Sequence, residues 1–199
     1  GHCLKTLLLR VFIVTVWCHG LAADESTPAS NDVSTLTCSP SGLLFQPLRA
    51  HVFEPRVGIL YEQNHDMLRL DIGNSIDLVS WQPSSTEEYR MGADFFTYTR
   101  LRSEGRFKFP VETTDFFFGV NFSAQYSLGD NVVSGRLRVA HISSHLSDGY
   151  NGKRSSFVYS REFIDLTGAV DFGSLRAYAG ANILFSTIPD AFGIVTPQV

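Results

Sequence analysis

DFFFGVNFSAQYSLGDNVVSGRLRVAHISS, residues 115–144, decides the fold. Phe116, Phe118, Val120, Phe122, Ala124 and Tyr126 fall on one parity, and Phe117, Gly119, Asn121, Ser123, Gln125 and Ser127 on the other. A period of two over this length is that of a β-strand with one apolar and one polar face. Leu128-Gly129-Asp130-Asn131 carries turn residues, and Val132 to Ser143 returns. Its apolar parity holds Val133, Leu137 and Val139, with Arg136 and Arg138 opposite. That apolar parity then continues into His141 and Ser143, two residues that a greasy strand face does not need.

Working outward, strand-like segments are expected at residues 55–62, 67–81, 88–101, 115–127, 132–143, 157–170 and 175–187, with Gly73-Asn74 marking a bulge in the second. No segment has helical periodicity. Connections 82–87, 128–131 and 171–174 are short, whereas 102–114 and 144–156 are longer and hold Gly, Lys and Arg. Only the 62–66 turn breaks the alternation. Short turns at one end and long loops at the other are the pattern of an antiparallel, up-and-down transmembrane β-barrel.

Side-chain chemistry separates this from a soluble barrel. A soluble barrel usually dresses its polar face with Lys and Glu. Beyond residue 23 the only lysines are Lys108 and Lys153, both in long loops, while the polar parity carries Arg90, Asp94, Arg100, Arg136, Arg138, Arg161, Asp165 and Arg176. Mixed Arg and Asp suit a narrow, partly filled lumen. Tyr61, Trp81, Tyr89, Tyr126, Phe157 and Phe185 near segment ends suit aromatic girdles. The absence of a long apolar run says nothing against strands, which cross in about 9–11 residues.

Residues 1–23 read as a secretory signal peptide: Lys5 and Arg10, an apolar run from Val11 to Trp17, then Gly20-Leu21-Ala22-Ala23. Residues 24–42 read as a disordered leader rich in Ser, Thr, Asn and Asp, and 43–199 as the barrel domain. Removal of residues 1–23 leaves 14 basic against 20 acidic side chains, a net charge of −6 that argues against nucleic acid as a partner. It also leaves Cys38 as the single cysteine, without a disulfide partner. Seven strands do not close a bacterial barrel, whose count is even. With Gly1 at one end and Pro197-Gln198-Val199 at the other, this predicts an incomplete barrel, truncated at the C-terminus.

On one strand face His141 and Ser143 lie about 6.6 Å apart, at a rise of ~3.3 Å per residue. A serine beside a base is the minimum for a nucleophile, and the base usually needs a third group to orient it. Antiparallel pairing about the middle of the 144–156 loop sets Glu162 opposite His141, on the face of Ile164 and Leu166. A carboxylate on a lipid face costs up to ~2–4 kcal/mol at midplane, less toward the rim, and a histidine partner offsets it. The bland alternative is a set of ordinary rim polars. His145 and Asp148 open the long loop, where they cap a turn or bind a metal ion.

His141-x-Ser143 on an outward-facing strand, with a polar residue on the next, resembles outer-membrane phospholipase A and lipid A 3-O-deacylase. The resemblance implies His141 as general base, Ser143 as nucleophile and Glu162 as orienter. Ser144 stands where those enzymes usually carry asparagine. The phospholipase likeness also makes calcium a cofactor worth testing, with Asp148 completed by loop carbonyls. Over most of residues 43–187, Phe53-Glu54-Pro55-Arg56, Arg136-Leu137-Arg138, residues 141–148 and Ser160-Arg161-Glu162 look like a bacterial outer-membrane β-barrel family catalogued only as a domain of unknown function. That likeness implies fold and location, with no activity.

The sequence therefore predicts a barrel of the bacterial outer membrane, with membrane lipid as its partner and a lipid-ester hydrolase site at His141, Ser143 and Glu162. The alternative is a non-enzymatic barrel, structural or a small channel whose lumenal Arg136, Arg138, Arg161 and Arg176 bind anions.

Overall fold

In the computed structural model, residues 34–49, 51, 53–147, 159–190 and 195–198 are described. They form nine strands and no helix: β1 (Thr35–Cys38), β2 (Gly58–Glu62), β3 (Met67–Ser84), β4 (Glu87–Arg102), β5 (Val111–Leu128), β6 (Asn131–Leu146), β7 (Tyr159–Phe172), β8 (Leu175–Ile188) and β9 (Val195–Gln198). All belong to one antiparallel up-and-down sheet in the order β1-β3-β4-β5-β6-β7-β8-β9, with β2 also on β3. The sheet is open among the described residues, in line with an incomplete barrel.

β1 and β2 occupy one position. β1 pairs with residues 79–82 of β3 and β2 with residues 67–71, both antiparallel, so together they are a single edge strand interrupted in its middle. The interruption, residues 39–57, leaves the edge and crosses one face of the sheet. Leu44 N–H donates to Asp77, the Phe53 carbonyl accepts from Arg138, and Glu54 pairs with Arg136. This covered face is called inner below. Two expectations change here. Residues 35–38, placed in a disordered leader, form a strand, and Cys38 is disulfide-bonded. The short strand has no alternation to betray it. Residues 1–23 lie outside the described residues.

The tight turns follow from glycine. Leu128 pairs with Asn131 and Phe172 with Leu175, leaving two-residue loops Gly129-Asp130 and Gly173-Ser174. Only the first residue of each has positive φ, 63° and 60°, the type II′ arrangement that matches strand twist. The bulge expected at Gly73-Asn74 is absent: pairing runs on through Gly73↔Phe96, and the register shifts instead at Leu78 and again between Trp81 and Ser84. Gly73 serves space instead, because a Cβ there would overlap that of Phe96.

Facing follows the alternation. Phe118, Val120, Phe122, Leu137, Val139 and Leu166 are exposed on the outer face, while Arg136, Arg138 and Asp165 are buried on the inner one. The inner face has two layers that a polar parity does not announce. Toward the short turns lie Asp94, Asn121, Arg136, Arg138 and Asp165. Toward the long loops, Phe96, Phe117, Ala140, Ile142 and Phe163 form an apolar cluster on which Phe53 packs. Phe53 lies 5.3 Å from the Phe163 ring and 6.1 Å from that of Phe117.

Candidate functional site

β6 extends three residues past its expected end, so His145 lies on the strand and not in the loop. Its outer parity therefore runs Leu137, Val139, His141, Ser143, His145. On β5 the partners are Phe118 opposite His141, Phe116 opposite Ser143 and Thr114 opposite His145. On β7, Glu162 stands opposite His141, the expected register, and Ser160 opposite Ser143. A bulge at Phe185 of β8 then brings Ser186 opposite Glu162. Bulges re-aim side chains in this way. The result is a polar lane at the long-loop end of an otherwise apolar outer face.

The lane holds two pairs. His141 Nδ1 and Glu162 Oε1 are 3.6 Å apart, with the two side chains 40% and 43% exposed. That separation is an ion-pair distance, longer than a hydrogen bond. Ser143 Oγ lies 3.0 Å from His145 Nε2, within hydrogen-bond distance. The His145 ring meets Phe116 edge-on at 5.4 Å and 72°. With its proton on Nδ1, His145 accepts from the serine hydroxyl, the arrangement from which a serine is deprotonated. The expected trio thus divides: His141 pairs with Glu162, and the serine pairs with His145. Sequence reasoning missed this partnership by ending the strand at residue 143. The same parity continued by one step would have found it.

The arginines considered for a lumenal site are committed elsewhere. Arg136 donates to both oxygens of Glu54, lies 3.8 Å from Asp165 and stacks 4.7 Å from the Phe45 ring. Arg138 is fully buried, its Nε 2.9 Å from Asp94 Oδ2 and its Nη1 on the Phe53 carbonyl. Arg176 stacks on the same Phe45 ring at 4.8 Å, and Arg161 on Tyr159 at 5.1 Å. Glu54 and Asp94 thereby neutralise Arg136 and Arg138, and Phe45 and Phe53 cover them on the inner face. Asp148 lies outside the described residues. Among those described, no three His, Cys, Asp or Glu side chains gather to hold a metal ion.

No family model, curated protein or solved structure matches the chain.

Proposed function

We propose that this protein is a β-barrel of the bacterial outer membrane that hydrolyses acyl esters of membrane lipid at Ser143. The observation carrying the reading is the Ser143–His145 hydrogen bond on the outer face, at one end of an exposed apolar surface. Ile72, Ile76, Met91, Phe95, Phe118, Val120, Phe122, Leu137, Val139 and Leu166 are each more than 40% exposed and span β3 to β7. Leaving such area in water forfeits roughly 25 cal/mol per Å². Soluble monomers rarely expose apolar patches beyond a few hundred Å². A bilayer is the solvent that fits it. An acyl ester in that bilayer would reach the serine sideways, without entering the filled inner face.

In the reaction, Ser143 Oγ attacks the ester carbonyl while His145 Nε2 takes its proton. The C–O bond to the alcohol breaks, and the alcohol leaves with that proton. Water then cleaves the acyl-serine by the same base, releasing the fatty acid. His141 and Glu162, one pleat away, supply a polar, charge-bearing wall beside the leaving group.

The second reading is a non-enzymatic barrel. It is favoured by one fact: among the described residues no carboxylate orients His145. Its channel form is disfavoured by the neutralised Arg136 and Arg138. Incubating the folded full chain with phospholipid vesicles, alongside Ser143→Ala, decides between them. Fatty-acid release by the wild type alone supports the hydrolase, and no release by either supports the structural barrel.

A further inference from the structure

Two arginines differ from those described above in how much of their guanidinium is used. Arg56 donates by Nε to Asp71 Oδ2 at 2.7 Å, and Arg69 by Nε to Asp71 Oδ1 at 2.8 Å. Among the described residues these are their only hydrogen bonds. Arg136 and Arg138, by contrast, spend their Nη groups on Glu54, Asp94 and a carbonyl. One buried carboxylate thus fixes two cations and leaves both forks of Nη donors open. Tyr98, opposite Asp71 in the β3–β4 register, fixes the pair further, with the guanidinium carbons 5.7 and 5.4 Å from its ring centre. The two side chains remain 41% and 38% exposed.

They line a cleft of about 320 Å³ together with Asp71, Gly58, Ile59 and Leu60. Arg100, paired with Arg69 across β3 and β4, adds a third cation beside it, and Asp115, paired with Tyr98, a second acid. The balance is three cations against two acids. A volume of this order is the lower end of what small ligands occupy. Planar, pre-organised guanidinium forks match phosphate oxygens in pairs. On the β2 side the residues that share this face are Gly58 and Leu60, which carry no charge.

We propose that this cleft binds a phosphate-bearing ligand, with Arg56 and Arg69 gripping the phosphate through their Nη groups and Leu60, which shares the face of Arg69, contacting its apolar part. The site is separate from Ser143 and does not depend on that serine's being catalytic. The phosphate can come from a lipid headgroup or from a free phosphate.

The test is titration calorimetry of the folded full chain in a maltoside detergent. The probes are inorganic phosphate and dihexanoylphosphatidic acid below its micelle concentration. Saturable binding of at least one is expected. Binding of both assigns free phosphate as sufficient, and binding of the phosphatidic acid alone assigns the headgroup. Arg56→Gln with Arg69→Gln should weaken binding tenfold or more. Should the double glutamine variant fail to fold, the double lysine variant retains the charges toward Asp71 while losing the forks, and the same weakening is expected. Absence of saturable binding by either probe, or affinities unmoved by these substitutions, overturns the proposal.

Discussion

Ser143 Oγ and His145 Nε2 stand 3.0 Å apart on the outer face of β6, one pleat beyond the His141–Glu162 pair on the same face. For the proposed hydrolysis two histidines therefore compete for the role of base, and geometry ranks them. Only His145 is within hydrogen-bond distance of the serine.

Substitution separates the two. Ser143→Ala should abolish release of fatty acid from phospholipid vesicles, and His145→Ala should lower it by about 10²–10⁴, the usual worth of a positioned base. His141→Ala and Glu162→Gln should each cost no more than about tenfold, since their pair touches the serine only indirectly. A fluorophosphonate that labels wild type and Glu162→Gln but not Ser143→Ala would identify the nucleophile directly. Equal losses from His141→Ala and His145→Ala would return the base to His141.

Glu54 holds the 43–57 segment against the sheet. Removing its carboxylate leaves Asp165, at 3.8 Å, as the one carboxylate near Arg136 among the described residues and strips Arg138 of a carboxylate 3.7 Å away. Breaking a buried pair from one side costs about 3–5 kcal/mol, because the other charge stays buried. Glu54→Ala should therefore lower stability by about 3 kcal/mol in urea unfolding of the detergent-folded protein. Glu54→Ala with Arg136→Met should recover part of that loss.

His51, on the same segment, carries a pH dependence whose sign can be worked out. Burial pushes its imidazole below the ordinary value, Asp165 and Glu54 oppose this, and Arg136 and Arg138 add to it. The Phe53 N–H donates to its Nδ1, which suits the neutral ring. The unfolded chain takes up its proton near pH ~6.5, the folded chain only at lower pH. Between those values the unfolded state binds more protons, so stability falls as pH drops below about 6.5 and levels off under the folded value. His51→Asn keeps an acceptor without titrating. Its unfolding midpoint should fall less between pH 8 and pH 5.5 than that of the wild type.

The strands were legible because each long one buries one face only, which writes a period of two into the sequence. From residue 115 to residue 143 facing follows from that period, and pairing about the middle of the 144–156 loop gives the opposition of His141 and Glu162. Phe96, Phe117 and Phe163 were not legible as a core. They sit on the parity that the neighbouring Arg, Asp and Ser mark as polar, and nothing local shows that the inner face changes character along its length. Residues 39–57 were opaque for another reason. Irregular backbone pairs through single residues, such as Leu44 with Asp77 and Glu54 with Arg136, and such contacts have no period to read. The serine's partner was lost to a boundary, since strand ends carry weaker alternation than strand centres.

The apolar outer face can be tested without reference to catalysis. Val120 lies near the middle of β5, opposite Val139 on β6, and is 61% exposed; Leu128, at the end of β5, is equally exposed. In water an arginine at either position would change stability by no more than about 0.5 kcal/mol, as surface substitutions do. In a bilayer the two differ sharply: about 2–4 kcal/mol against the variant at midplane and about 0–1 kcal/mol near the interface. Val120→Arg should therefore cut the folded fraction in phospholipid vesicles far more than Leu128→Arg, as read by urea titration or by heat-modifiable gel mobility. Equal, small effects of the two would mean that this face does not meet lipid, and the serine would then need an ester that arrives from water.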